Sequence, residues 1–230
     1  MERIGGCAAV IPARDEAGAI GLVVAEALRV AEVVVVVDNG SRDATAAVAA
    51  AAGARVVAEP RRGYGHACLA GVVAVGTAEV VVFVDGDGSM PVAETPRLVA
   101  PIRAGRADVV CGSRTVQRER GSMPWHQGAG NAFALLLLRG LYGVRLSDLG
   151  PYRAVRGSTL RGLSMRGSRF AWPASLLARA ARRGARIVEV DVAYRRRVAG
   201  RSKVSGSLRG SVEAGAGIVL TLLWQRVSPR

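Results

Sequence analysis

The passage that most limits what this chain can become is Val80-Val81-Val82-Phe83-Val84-Asp85-Gly86-Asp87-Gly88-Ser89. An apolar run of strand length ends in two carboxylates one residue apart. The apolar half must be buried, and the acidic half resists burial unless positive charge compensates it. An open α/β sheet meets both demands, because its ligands bind in the crevice beyond the carboxyl ends of buried strands. Gly86 and Gly88 allow a tight turn and a close approach of backbone to ligand. Two carboxylates at this spacing can hold one hard divalent cation, Mg2+ or Mn2+, which often shares its oxygen ligands with substrate phosphates. The same residues also fit a strand that ends in a solvated Asp-Gly turn.

The neighbouring segments support a sheet with helices on both faces. Cys7 to Ile11 reads as a first strand stopped by Pro12, followed by the polar loop Arg14-Asp15-Glu16. Ile20, Val23, Val24, Ala27 and Leu28 recur at helical spacing. Val33 to Val37 is a buried strand ending in Asp38-Asn39-Gly40-Ser41-Arg42-Asp43, and an alanine-rich helix covers about 44–52. Arg55 to Ala58 is a third strand. The loop from Glu59 to His66 carries Arg61, Arg62, Gly63 and Gly65 ahead of a helix near 67–75. It can be read as a phosphate cradle at a helix N-terminus or as an ordinary turn. With Val80 to Val84 as the fourth strand, strand and helix have alternated four times, which argues for a doubly wound, mostly parallel sheet.

Further on, a helix over 91–104 and a strand over 107–111 precede Gly112-Ser113-Arg114 and a long arginine-rich loop reaching Gln127. Asn131 to Leu141 is a strongly apolar helix: a core helix on the plainer reading, a face for a lipid surface on the other. Asp148, in Ser147-Asp148-Leu149-Gly150-Pro151-Tyr152-Arg153-Ala154, reads as a helix cap, a partner for arginine or a catalytic base. A helix from Phe170-Ala171-Trp172-Pro173 to about Arg183 and a strand over 186–192 follow. Arg195, Arg196, Arg197, Arg201 and Lys203, spaced by Gly and Ser, form either solvated surface or a loop that closes over phosphates. An amphipathic helix is expected over about 208–226, docked on the sheet or lying in a membrane interface with Trp224 at headgroup level.

A chain of 230 residues has room for one full core, and a single domain spanning 1–230 is expected. The net charge of +14 calls for anionic partners: phosphorylated substrates or an anionic membrane surface. Nucleic acid is disfavoured, because the basic residues lie in loops without interleaved aromatic stacking platforms. Cys7, Cys68 and Cys111 sit in or beside apolar stretches, as buried thiols of a reducing, cytoplasmic compartment do. No apolar run reaches the roughly 20 residues that span a bilayer, so any attachment would be peripheral, on the cytoplasmic membrane face.

Val10-Ile11-Pro12-Ala13-Arg14-Asp15-Glu16, Asp38-Asn39-Gly40-Ser41-Arg42-Asp43, Arg62-Gly63-Tyr64-Gly65 and Asp85-Gly86-Asp87 occur in one order. Together they resemble family 2 glycosyltransferases of the GT-A fold. Asp148 to Ala154, and Arg195-Arg196-Arg197 through Ser202-Lys203-Val204-Ser205-Gly206, look like the branch near dolichyl-phosphate mannose synthase and the polyprenyl-phosphate sugar synthases. The resemblance implies that Pro12, Ala13 and Glu16 line the nucleotide, that Asp38 meets the base and that Gly65 permits close packing near it. Asp85 and Asp87 would form the DxD pair on the metal bridging the donor diphosphate, with Ser89 as an occasional further ligand. Arg114 would meet phosphate, Asp148 would be the catalytic carboxylate on the acceptor side, and Arg196 and Lys203 would sit on a closing basic loop. The implied reaction is inverting transfer of a hexose from a UDP- or GDP-sugar to a lipid phosphate or a small hydroxyl acceptor.

One departure stands out. Such relatives carry Trp-x-x-Glu-Met in the late helix, whereas this chain has Trp172-Pro173-Ala174-Ser175-Leu176, so Ser175 occupies the acidic place. That keeps a second reading in view, a non-catalytic protein of the same fold that binds nucleotide sugars or anions. A sugar-phosphate nucleotidyltransferase is disfavoured by the lack of a glycine-rich loop between Ile11 and Leu28.

Overall fold

The computed structural model describes residues 3–117, 119, 125–168, 170–199 and 208–227. Its strands are β1 Ile4–Ala13, β2 Ala31–Asp38, β3 Arg55–Ala58, β4 Val80–Phe83, β5 Val109–Ser113, β6 Arg153–Arg156 and β7 Ile187–Asp191. Its helices are α1 Ile20–Val30, α2 Thr45–Ala51, α3 Tyr64–Val75, α4 Thr95–Arg103, α5 Trp125–Tyr142, α6 Gly157–Gly162, α7 Trp172–Arg182 and α8 Leu208–Val227. The strands form one sheet in the order β3-β2-β1-β4-β6-β5-β7. Every pairing is parallel except those of β6, which runs antiparallel to both β4 and β5.

Alternation along the valine strands divides the core into two layers. Cys7, Ala9, Ile11, Val34, Val36, Val80 and Val82 pack under α1 and α4 on one face. Val10, Val35, Val37, Val81 and Phe83 pack under α3, α5 and α7 on the other. Apolar side chains therefore occur at every position of these strands, as a sheet covered on both faces requires. The edge of Trp172 approaches Phe83, with ring centroids 6.2 Å apart, and anchors α7 on the second face. Cys7, Cys68 and Cys111 are buried free thiols, and burial pushes those of Cys7 and Cys111 up to about 11.

Several boundaries differ from the sequence-based expectations for identifiable reasons. β1 does not stop at Pro12 but continues to Ala13 beside Asp38 of β2. Pairing of β1 with β4 ends at Val10 and Phe83, so the missing N–H of Pro12 removes no ladder bond on that side. α5 starts at Trp125, ahead of the expected Asn131. β6, within the passage around Asp148, was not foreseen as a strand. Four residues bracketed by Arg153 and Arg156 carry no apolar alternation. Its stability comes from two neighbouring strands and from Arg153, whose fully buried guanidinium donates to the carbonyls of Pro173 and Gly150.

The sheet changes direction of travel between β1 and β4. β1 leads outward to β2 and β3, and β4 begins the other half, so the crevice beyond their carboxyl ends is the topological switch point. The interface of α3 with β1 fixes that crevice from behind. A Cβ on Gly71 would lie 2.3 Å from Cγ1 of the fully buried Val10. Helix propensity alone favours Gly→Ala by about 1 kcal/mol. Here the overlap should win, and Gly71→Ala is expected to destabilise the protein by about 1–3 kcal/mol in chemical denaturation.

Candidate active site

The chain leaves β4 through Val84 and turns at Asp85-Gly86-Asp87-Gly88. The turn fits only because side chains are absent: a Cβ on Gly86 would meet Ile20 Cδ1 at 3.1 Å, and Gly88 has φ +72°. Asp87 is 2% exposed. Its Oδ1 accepts from the Ser89 amide at 2.9 Å, and its Oδ2 lies 2.9 Å from Nη2 of Arg197. The same guanidinium reaches Oε1 of the buried Glu16 at 3.4 Å. Asp85 is half-buried, but its Oδ1 is wholly enclosed and has no hydrogen-bond partner, as does the hydroxyl of Ser89.

Burial first, and then the neighbouring Asp87 charge, pushes the Asp85 carboxyl up to about 7. Arg197, Arg114 and the Tyr64 hydroxyl act in the opposite direction. Among the described residues no group of three or more His, Cys, Asp or Glu could hold a metal ion. What exists is a pair of adjacent carboxylates, with Asp85 Oδ1 enclosed and unpartnered and both oxygens of Asp87 engaged by the Ser89 amide and Arg197. That donor set suits Mg2+ or Mn2+, which bind one or two carboxylates and take remaining ligands from water and substrate phosphate.

A strap over 195–199 lies across this turn. The Arg195 amide donates to Ser89 O at 2.8 Å and the Val198 amide to Asp87 O at 3.1 Å. Val198 packs where a side chain on Gly88 would stand, and Ala199 does the same at Gly18. Of the three consecutive arginines, Arg197 points to the acids. Arg196 is exposed, and its amide donates to Glu119 Oε2 at 2.6 Å. Lys203, the other basic residue singled out on this loop, lies outside the described residues.

The first loop is bound to the second. The Asp15 amide donates to Ser41 Oγ at 3.0 Å, the Glu16 amide to Thr45 Oγ1 at 2.8 Å, and the Arg42 amide to Asp15 Oδ1 at 2.7 Å. Asp15 has φ +51°, a conformation unfavourable for a residue with a side chain and held here by those bonds. Pro12 and Ala13 form the end of β1 beside these loops. Asp38 Oδ1 accepts from the amide and hydroxyl of Ser41. Asn39 ties the second loop to the third, donating to Glu59 O and Arg61 O at 2.9 Å and accepting from the Gly63 amide at 2.8 Å.

That third loop was open between phosphate cradle and turn. Its amides at Arg61, Gly63, Gly65 and His66 are already bonded within the protein, which leaves it as a turn. Arg61 pairs with Glu59 at 2.8 Å and holds that carboxyl down at about 2. Gly65 does permit a close approach, to the backbone of Ser168, whose oxygen would be 2.7 Å from a Cβ there.

On the far side, Arg114 and Asp148 form a buried bidentate pair. Nε to Oδ2 is 2.6 Å, Nη2 to Oδ1 is 2.8 Å, and the Arg114 amide adds a contact at 3.1 Å. The amide of Asp148 is held by Glu189 at 3.0 Å, and Arg114 stacks 5.0 Å from the ring centre of Tyr194. Asp148 is thus brought to the sheet's carboxyl edge, but with both oxygens engaged by the guanidinium.

A chain with this sheet order and this pair of acids at the switch point can be compared with known proteins. The model for "Glycosyl transferase family 2" matches residues 8–158, from β1 into α6. The chain belongs to glycosyl transferase family 2. It is 45% identical over 179 residues to an uncharacterized glycosyltransferase of Mycobacterium tuberculosis strain H37Rv, covering 78% of this chain and 81% of that protein. It is 35% identical over 225 residues to a dolichyl-phosphate hexose transferase of Haloferax volcanii, covering 96% and 95%. Among solved structures, glucosyl-3-phosphoglycerate synthase from Mycobacterium tuberculosis, in complex with Mn2+, uridine diphosphate and phosphoglyceric acid, superposes with a TM-score of 0.78. The identity is 25%, over 97% of this chain and 79% of that one. This family 2 member is a nucleotide-sugar-dependent glycosyltransferase of GT-A fold, in the polyprenyl-phosphate sugar synthase branch.

Sequence reasoning did not single out Arg197, Asp15, Asn39, Glu189 or Tyr194. Three adjacent arginines look alike until the backbone fixes which one faces inward. The loop clasps and the Glu189 contact join residues 20–42 positions apart, and no local pattern announces them.

Two outcomes follow for the ligand-free glycosyltransferase. An acid whose carboxyl rises on folding from 3.8 to about 7 destabilises the fold increasingly as pH climbs through that window. Asp85→Asn should therefore be more stable than wild type, with a gain that grows between about pH 4 and 7 and then levels, as urea melts across that range would report. Asp148→Ala leaves a buried guanidinium uncompensated and should cost about 3–5 kcal/mol in the same melts.

Proposed function

We propose that this glycosyltransferase moves a hexose, with inversion, from a UDP- or GDP-sugar to a polyprenyl phosphate, using a divalent cation held by Asp85 and Asp87. The observation that carries the reading is the enclosed carboxylate pair at the end of β4, with the unpartnered Asp85 Oδ1 and a strap arginine on Asp87. The cation would neutralise charge on the departing nucleoside diphosphate. Pro12 and Ala13 at the end of β1, Glu16 in the loop after it and Asp38 at the end of β2 would line the nucleotide. Arg197, with Arg196 on the same strap, would add positive charge where the leaving group gains negative charge, and Lys203, six residues further along the sequence, is proposed for the same role. Arg114, oriented by Asp148 and stacked on Tyr194, would hold the acceptor side.

The state of Asp148 favours a phosphate acceptor over a hydroxyl. A hydroxyl needs a base to remove its proton, whereas a phosphate monoester is already ionised. Asp148, with both oxygens on Arg114, is better suited to orienting that arginine than to taking a proton. In relatives named for dolichyl or polyprenol phosphates the acceptor is part of the printed name, which supports the same choice. Reaction with such an acceptor would occur at a membrane surface.

The non-catalytic reading rests on Ser175. It is buried in α7, and its hydroxyl accepts from Gln225 Nε2 of α8 at 2.5 Å, so the place of the acid has become a helix-docking contact. Calorimetry with UDP and GDP, with and without Mn2+, tests donor use. Metal-dependent binding is expected, and Asp87→Ala should abolish the metal dependence and lower transfer and nucleotide-sugar hydrolysis by about 100-fold or more. Metal-dependent binding without hydrolysis or transfer would leave the non-catalytic reading standing.

A further inference from the structure

α8 is apolar on the wrong side. Its inner face is accounted for: Leu222 and Gln225 are buried against α5 and α7, and the Tyr142 hydroxyl of α5 donates to Leu222 O. An ordinary surface helix would be polar opposite that face. Here Leu220, Leu223, Trp224 and Val227 recur at i, i+3, i+4 and i+7 on the outer face, and Leu220 and Val227 are 68% and 82% exposed. The neighbouring α5 adds Phe133 and Leu136, 52% and 64% exposed. A helix is present over Leu208–Val227 where one was expected, but it is not amphipathic: its exposed side is apolar as well. Large apolar side chains grouped in this way mark an interaction site rather than an ordinary surface.

The surroundings select the partner. Arg166 stacks 5.7 Å from the ring centre of Trp224, and Arg182 donates to the carbonyl of Gln225. Arg226 and Arg139 close the last turns of α8 and α5, and Arg183 follows α7. Arg179 lies close enough to Arg166, Arg182 and Arg183 for their charges to lower its own affinity for a proton, after the effect of burial. No ion pair of Arg166, Arg179, Arg183 or Arg226 with a carboxylate is present among the described residues. An arginine cluster that repels itself, placed beside exposed Leu, Val and Trp, complements a surface that is negative outside and apolar beneath.

We infer that the outer faces of α8 and α5 form a binding surface for an anionic lipid bilayer, into whose interface Leu220, Leu223, Trp224 and Val227 insert while the flanking arginines meet the headgroups. Trp at that depth and Arg at the headgroups follow the usual preferences of interfacial helices. No helix among the described residues is long and apolar enough to cross a membrane, so the contact lies on the bilayer and does not span it. α5 belongs both to this surface and to the acceptor side of the site: Asn131, on the opposite side of the helix from Phe133, accepts from the Leu149 amide next to Asp148 through its Oδ1 at 2.8 Å. In purpose this rests on the lipid-acceptor reading, though vesicle binding itself does not require it.

Flotation with phosphatidylcholine vesicles, with and without an equal part of phosphatidylglycerol, tests the inference on the full chain. Wild type should float with the anionic vesicles and at least tenfold less with the neutral ones. Leu220→Asp/Leu223→Asp should lose at least tenfold of the anionic binding while keeping its circular dichroism and metal-dependent nucleotide binding. Brominated lipid should quench wild-type tryptophan fluorescence but not that of Trp224→Phe. Absence of wild-type flotation, or unchanged flotation of the double variant, would overturn the surface. So would a wild-type dimer, seen by light scattering, that the double variant dissociates, since a second copy would then be the occupant. Failure of the acceptor reading would look different: vesicle binding intact, with no transfer to polyprenyl phosphate.

Discussion

Placing two carboxylates at the end of a strand that is buried on both faces is the constraint on which the rest of this structure depends. β4 is enclosed along its whole length, and Asp87 is nearly as enclosed as the valines that precede it. Buried acids call for compensating positive charge, and the fold supplies it from separate segments of the chain. Arg197 arrives on the strap to contact Asp87 and Glu16, and Arg114 contributes from the end of β5. The compensation is incomplete at Asp85, whose carboxyl is raised and whose Oδ1 has no partner. That incompletely compensated carboxyl is the feature on which the proposed cation site rests.

Around that centre the loops at the carboxyl edge are held by one another. Asp15, Ser41, Asp43 and Thr45 clasp the first loop to the second, and Asn39 clasps the second to the third. Polar residues that would otherwise compete with strand formation are collected where their hydrogen bonds fix geometry. The consequence is a floor many of whose amides are already bonded within the protein, with Asp85 Oδ1 left unpartnered among its carboxylates. The acceptor side follows the same logic with a different pair. Asp148 and Arg114 satisfy one another, and Glu189 and Tyr194 hold that pair in place.

The substitution at Ser175 and the apolar outer face of α8 are parts of one arrangement. Where relatives carry a glutamate, a small hydroxyl accepts a hydrogen bond from Gln225 and lets α8 dock on α7. On the docked helix Arg166 stacks on Trp224, and Arg182 donates to the carbonyl of the same Gln225. The change that first looks like a lost catalytic group thus has a structural consequence at the helix pair that flanks the acceptor side.

The sequence by itself determined the layers and the acid pair. The continuous apolar runs, five valines at 33–37 and Val-Val-Val-Phe-Val at 80–84, fit strands covered on both faces, and the helical spacing between them supplies the covers. The acids at 85 and 87 had to stand at the edge, because they follow such a strand directly. These signals are local, and locality is why they were legible. The tertiary structure decided what depends on contacts between distant segments. It inserted β6 antiparallel between β4 and β5, although its four residues carry no period of their own. It chose Arg197 over Arg195 and Arg196, because only the pairing of 195 and 198 with 87 and 89 sets which side chain faces the acids. It turned Asp148 from an isolated carboxylate into the partner of Arg114. It also decided which face of α8 is outward, since an element apolar all round has no preferred side until α5 and α7 take one of them.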